Sequence, residues 1–262
     1  VTAVIPIPTA DVYVRALRAS HDRFRALLDG MDPAAVTGPS YCSDWSIAQV
    51  ASHLGSGAEI FTRLLDAGLA GEPTPGGEAF QAVWAAWDAR TPQEQAALAP
   101  ATDGAFLARV EALTDEEVER FSLHLFGKDR DLTGFLAQRL SEHTLHVWDI
   151  AVMEDPAAHL PRDAVDLLID DIPFLVRFAG KPTSPGIDVR ISTTDPIREL
   201  LLTTDDPVTL VPVAGGSTGA ILQASGDALI RLVTGRLDPA HTPPVQVAGI
   251  SLDRLRTVFP GF

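Results

Sequence analysis

One short stretch of this chain concentrates groups that could bind a metal or move a proton: Ser141-Glu142-His143-Thr144-Leu145-His146-Val147-Trp148-Asp149. Glu142 and His146 are four residues apart, so on an α-helix both leave from the same face. A carboxylate and an imidazole at that spacing can donate to one divalent ion. The same spacing also describes an ordinary helix pair of little energetic weight. His143 is about 100° round the helix from Glu142, which directs it to a neighbouring helix and away from a shared ion. Far upstream, His53 stands among Ala51, Ser52, Gly55, Ser56 and Gly57, small residues that leave room for something bulky. A lone helical histidine is more often a satisfied core residue than a ligand, and short motifs have many accidental matches.

Other groups carry weaker signals. Cys42 is the only cysteine, so no internal disulfide and no multi-cysteine zinc site can form. Any metal must then be held by His, Asp and Glu. Cys42 itself reads as a small buried filler. Trp45 and Trp148 read as packing groups, and Asp149 as a structural residue. Arg236 follows Leu232-Val233-Thr234-Gly235, where it can complement the C-terminus of a helix.

The elements that must position these residues are helical in the first two thirds. Thr9 can cap a helix from Ala10 to Gly30. Ser46-Ile-Ala-Gln49 is a capping box opening a second helix that runs past His53 to about Gly68. A Gly/Pro loop over 71–77 follows. A third helical region spans about 78–113, with breaks expected near Thr91-Pro92 and at Pro100. Asp131 then opens a fourth long helix carrying Glu142 and His146. Four main helices suggest a bundle.

Past Pro156 the texture changes. Residues 163–180 read as one apolar helix. Residues 187–193, 198–204, 208–213 and 220–224 read as short strands rich in β-branched residues and separated by turn signals. Ser225 can cap a helix to Thr234, residues 245–247 form a possible last strand, and 251–259 a last helix. The expected organisation is α+β and multidomain: a helical bundle over residues 1–158 and a smaller α+β domain over 159–262.

The totals exclude several functions. The net charge of −15 repels phosphate backbones and anionic membrane surfaces, so neither nucleic acid nor membrane is an expected partner. No apolar run reaches the roughly 20 residues that span a bilayer. The N-terminal stretch lacks a basic segment followed by an apolar one, which points to a cytoplasmic location.

The segment Asp44-Trp45-Ser-Ile-Ala-Gln-Val-Ala-Ser-His53-Leu54, followed by Glu142-His-Thr-Leu-His146-Val-Trp148-Asp149, resembles the mycothiol-dependent maleylpyruvate isomerase family. That family is actinobacterial and has a DinB-like metal-binding bundle. The resemblance covers nearly the whole chain, the second domain being the family's small α+β unit, distantly like sterol carrier proteins. It implies zinc, or another divalent metal, on His53, Glu142 and His146. Three protein ligands leave a position open, as in catalytic sites. It further implies mycothiol as thiol cofactor or co-substrate, its thiolate adding to a small electrophile in S-transfer or in cis-trans isomerisation. An arginine of the second domain is implied as catalytic, and Arg236 is the candidate. The competing functions are a metal hydrolase that works without thiol and a non-enzymatic small-molecule-binding protein. A monomer is the expected state.

Overall fold

The computed structural model describes residues 8–125, 127–216 and 218–261. The opening residues, on which the reading of the N-terminus rests, lie outside them. The chain divides into two compact units, one reaching Ala158 and the other starting at His159.

Four long helices build the first unit: α1 (Ala10–Gly30), α2 (Ile47–Ala70), α4 (Pro92–Glu111) and α6 (Leu132–Glu154). Helix α1 packs on α6 and α4, and α2 packs on α4 and α6. Two shorter helices, α3 (Gly77–Asp88) and α5 (Asp115–Arg120), and a hairpin of β1 (Leu123–Leu125) and β2 (Lys128–Arg130) complete the connections. The helix starts have chemical causes. Ser46 and Gln49 form the reciprocal capping box at α2, and Thr91 and Glu94 form another at α4, with Pro92 in its first turn. Asp131 caps α6 by accepting the Gly134 N–H at 2.8 Å. The core between the helices holds Phe24, Leu54, Leu65, Phe106, Phe135, Leu136 and Leu140, all 1 % exposed or less.

Three sequence expectations change. Pro100 does not end a helix: α4 runs through it to Glu111. A proline inside a helix removes one ladder bond, and here α4 is held on both sides by α1 and α2. The hairpin at 123–130 was not anticipated, because three-residue strands carry too little alternation to read. The two glycines that follow His53 are filled by neighbouring side chains and not by open space: a Cβ at Gly55 would overlap the Trp87 ring of α3, and one at Gly57 would come to 2.8 Å of Arg139 Nη1. Their smallness admits neighbouring side chains.

In the second unit a five-stranded sheet has the order β5-β4-β3-β6-β7. These strands are β3 (Asp188–Thr193), β4 (Arg198–Thr203), β5 (Thr209–Pro212), β6 (Ala220–Ala224) and β7 (Gln246–Ala248). All pairings are antiparallel except β3 with β6. The period of two puts Val189, Ile191, Leu200, Leu202, Leu210 and Leu222 on buried positions. Helices α7 (Arg162–Leu168) and α8 (Ile172–Ala179) pack on α9 (Gly226–Val233), and α10 (Leu252–Val258) follows β7. The single helix expected over 163–180 is thus two. Pro173 lies at the start of α8, where its fixed φ opens a helix but cannot continue one.

Candidate metal centre

His53 leaves α2 two turns after its capping box, and Glu142 and His146 leave α6 one turn apart. The packing of α2 on α6 brings the three side chains together. His53 Nε2 lies 3.5 Å from Glu142 Oε2, and His146 Nε2 lies 3.8 Å from the same oxygen. The two imidazole centroids are 4.6 Å apart, at 69°. Two donors bound tetrahedrally at about 2.1 Å are about 3.4 Å apart, so the donor set fits one small divalent ion. Nitrogen and oxygen donors of this kind suit zinc. Burial pushes the Glu142 carboxyl up, but the hydrogen bond from His53 and the nearby charge of His146 outweigh it and hold it below the usual range. It is therefore ionised at neutral pH, the form that ligates.

The surroundings are asymmetric. The Trp45 ring, 36 % exposed, lies with its centroid 5.2 Å from that of His53 and 6.1 Å from that of His146. It forms an apolar margin beside the donors. On the inner side His146 Nδ1 meets Asp149 Oδ2 at 2.9 Å, and Cys42 Sγ donates to the same oxygen at 3.1 Å. Cys42 is therefore no inert filler: it is half-buried and engaged with a carboxylate. Asp149 is also engaged with a candidate ligand, which its purely structural reading did not include. The signal for both was available, since Asp149 is three residues beyond His146 and so near it on the helix. Nothing in the sequence, however, tied Cys42 to a residue so distant along the chain. Trp148 does pack: it is buried and donates its indole N–H to the Ala158 carbonyl at 2.8 Å.

His143 turns away from the triad, as its angular offset predicts. Its Nδ1 pairs with Ser20 Oγ of α1 at 2.8 Å, and its Nε2 is 3.1 Å from Asp103 of α4. Asp103 also receives His21 Nδ1 at 2.8 Å and Arg139 Nη2 at 2.7 Å. Burial raises the Asp103 carboxyl, but His143, His21 and Arg139 together hold it well below the usual carboxylate range. Burial drives the His143 imidazole down. This polar group ties α1, α4 and α6 together and is separate from the triad. A cavity of about 520 Å³, lined by His21, Leu28, Met31, Val36, Pro100 and Gly104 among others, includes none of the triad residues.

Arg236 belongs to the second unit. It is 8 % exposed, just beyond α9, and its guanidinium donates to the Thr234 carbonyl at 3.1 Å. Its neighbour Arg231 is fully buried in an ion pair with Asp227 at 2.9 Å.

The fold and site define a class: a helical bundle whose facing helices present two histidines and a carboxylate to one point, followed by a separate α+β unit. The model of the mycothiol maleylpyruvate isomerase N-terminal domain matches residues 17–151, and the chain belongs to that family. Among solved structures, a mycothiol-dependent maleylpyruvate isomerase aligns at a TM-score of 0.63 and 17% identity, over 87% of this chain and 90% of that one. A point mutant of a mycothiol-dependent maleylpyruvate isomerase aligns at 0.64 and 15% identity over the same shares. At such identities the likeness establishes a common fold. No curated protein compared with the chain matches it. Among the described residues, no helix is long and apolar enough to cross a membrane.

Proposed function

We propose that this protein is a zinc-dependent enzyme that uses mycothiol as thiol cofactor or co-substrate on a small electrophile, with His53, Glu142 and His146 as the metal ligands. The observation that carries the reading is the convergence of His53 Nε2 and His146 Nε2 on Glu142 Oε2, at 3.5 and 3.8 Å, in a chain of this family. Metal and thiol together would supply a nucleophilic sulfur at neutral pH, because a bound cation strongly favours the deprotonated thiol. The protein's own residues do the rest. Glu142 brings one negative charge to the site, and two neutral imidazoles complete the set. Trp45 narrows solvent access on one side. Three ligands leave a coordination position for chemistry.

An anionic electrophile needs a local cation in so acidic a protein. We assign that role to Arg236, whose planar fork suits a carboxylate. On this reading the enzyme acts in the cytoplasm, where small thiols are kept reduced, and acts as a monomer.

The test combines metal analysis with turnover. Protein purified without chelator or affinity-tag nickel is expected to hold about one equivalent of divalent metal. It is expected to convert maleylpyruvate or a related activated alkene only when mycothiol is added. His146→Ala should remove the metal while the bundle stays folded. A protein that takes up no zinc when zinc is supplied, or turns over equally well without thiol, overturns the reading.

A further inference from the structure

Two groups beside the triad are left over by metal ligation: Asp149 and Cys42. Asp149 is completely buried, and a carboxylate in such a place must be hydrogen-bonded. Its Oδ2 meets His146 Nδ1 at 2.9 Å and accepts from Cys42 Sγ at 3.1 Å. Its main-chain carbonyl accepts the Tyr41 N–H at 3.0 Å. The segment that leads into α2 is therefore pinned to α6 at the residue that also touches His146.

The two nitrogens of His146 have unlike surroundings. Nδ1 has a carboxylate oxygen at 2.9 Å. Nε2 lies on the side of Glu142, whose Oε2 is 3.8 Å away. A neutral imidazole carries one proton, and an ionised carboxylate can only accept, so the 2.9 Å contact with Asp149 places that proton on Nδ1. The lone pair is then on Nε2, directed to the side where Glu142 and His53 lie.

We propose that Asp149 is the positioning residue of the metal centre. It fixes His146 as the Nδ1–H tautomer and holds the ring with the Nε2 lone pair turned towards Glu142 and His53, while Cys42 serves as a hydrogen-bond donor to the same carboxylate and not as a ligand. The proposal rests on the metal reading given above. Cys42, His146 and Asp149 could also hold an ion of their own, since their donor atoms lie within 4.8 Å of one another. Such an ion would have to displace both hydrogen bonds and share His146 with the first site. The hydrogen-bonded arrangement satisfies the same atoms without an ion, and we take it as the resting one. Outer partners of a ligating histidine commonly contribute 10–100-fold in metal affinity.

The experiment has two arms. In the first, zinc affinity and stoichiometry are measured by competition with a chromophoric chelator for the wild type, Asp149→Ala, Asp149→Asn and Cys42→Ser. One equivalent is expected in the wild type. Asp149→Ala should weaken binding by roughly 10–100-fold, Asp149→Asn by less because it keeps an acceptor, and Cys42→Ser hardly at all because it keeps a donor. In the second arm, nitrogen NMR of the metal-free protein reads the His146 tautomer at a pH where the ring is neutral. The wild type should carry the proton on Nδ1, and Asp149→Ala should lose that preference. Unchanged affinity in both Asp149 variants overturns the proposal, as does a wild-type proton on Nε2. A second zinc equivalent that disappears in Cys42→Ser overturns the role given to the thiol. If the wild type takes no zinc yet shows the Asp149-dependent tautomer, the metal reading fails and the positioning of His146 by Asp149 stands.

Discussion

A buried arginine is expensive unless its donors are used, which makes Arg236 a residue with a reason to be where it is. Its guanidinium spends a donor on the Thr234 carbonyl. Its assigned role as the cation for an anionic substrate makes a prediction at the scale of one side chain. Arg236→Ala should leave zinc content unchanged and lower kcat on the order of 10²-fold, the usual cost of losing one charge-stabilising donor. Arg236→Lys should recover part of the loss, since an ammonium supplies charge without the planar fork. Metal analysis and steady-state kinetics on the two variants decide it. Full activity in the Ala variant would remove Arg236 from the mechanism. At this scale the helix spacing made Glu142 and His146 a legible pair and sent His143 elsewhere. The contacts of Asp149 with Cys42 and of His143 with Ser20 were not legible, because each joins segments whose approach only the packed bundle determines.

Helix α2 shows why intrinsic propensity is a poor guide to a packed element. Gly55 is helical, and alanine there would ordinarily gain about 1 kcal/mol. The Trp87 ring occupies the place of the missing Cβ. That ring is 1 % exposed, its N–H donates to Glu59 at 3.1 Å, and Arg90 stacks over it at 4.0 Å. It has little freedom to yield. Gly55→Ala is therefore expected to destabilise the protein by about 1–3 kcal/mol, the range for overpacking, seen as a lower urea midpoint. Pairing it with Trp87→Phe should recover part of the loss. A raised midpoint in the single variant would show that the ring moves aside freely.

Element boundaries were readable wherever side chains mark them chemically. Ser46 with Gln49, Thr91 with Pro92 and Asp131 each marked a helix start within a residue. In the sequence Pro100 has weight as a breaker and Pro173 none. The first is carried inside a helix clamped by two others, and the second divides what the apolar pattern joined.

For the first unit as a whole, the polar group around Asp103 sets a pH limit. The folded carboxyl titrates below its ordinary value of 3.8, so its contribution is present above that value and is lost as pH falls through the folded pKa. His143, held neutral by burial, titrates below 6.5 when folded. Its contribution is complete above 6.5 and declines as pH falls from there, because the unfolded chain takes up the proton first. Both act in the same direction, so stability should fall with acidification, beginning below the histidine range and steepening below the carboxylate range. Asp103→Asn should remove the steep acid limb. It should also cost about 3–5 kcal/mol near neutrality, because Arg139, 2 % exposed, would keep a buried charge without its partner. Thermal melts from pH 7 to 3 on both proteins test this; a parallel pH profile in the variant would refute it. Of this polar group the sequence singled out only His143, as a residue directed to a neighbouring helix; Ser20, His21 and Asp103 belong to no readable motif.

The pairing of α1 and α2 with α6 has a consequence for how the protein comes into being. On the ribosome, α1 and α2 emerge long before the helix they pack against. Their apolar faces, and His53 among them, must wait for the last long segment of the unit to leave the exit tunnel. Until then nothing holds His53 opposite a carboxylate, so a nascent or truncated chain offers metal only isolated donors. If the proposed site holds, acquisition of the ion is deferred to the end of the unit's synthesis, and a metal-loaded chain is one whose bundle has already closed.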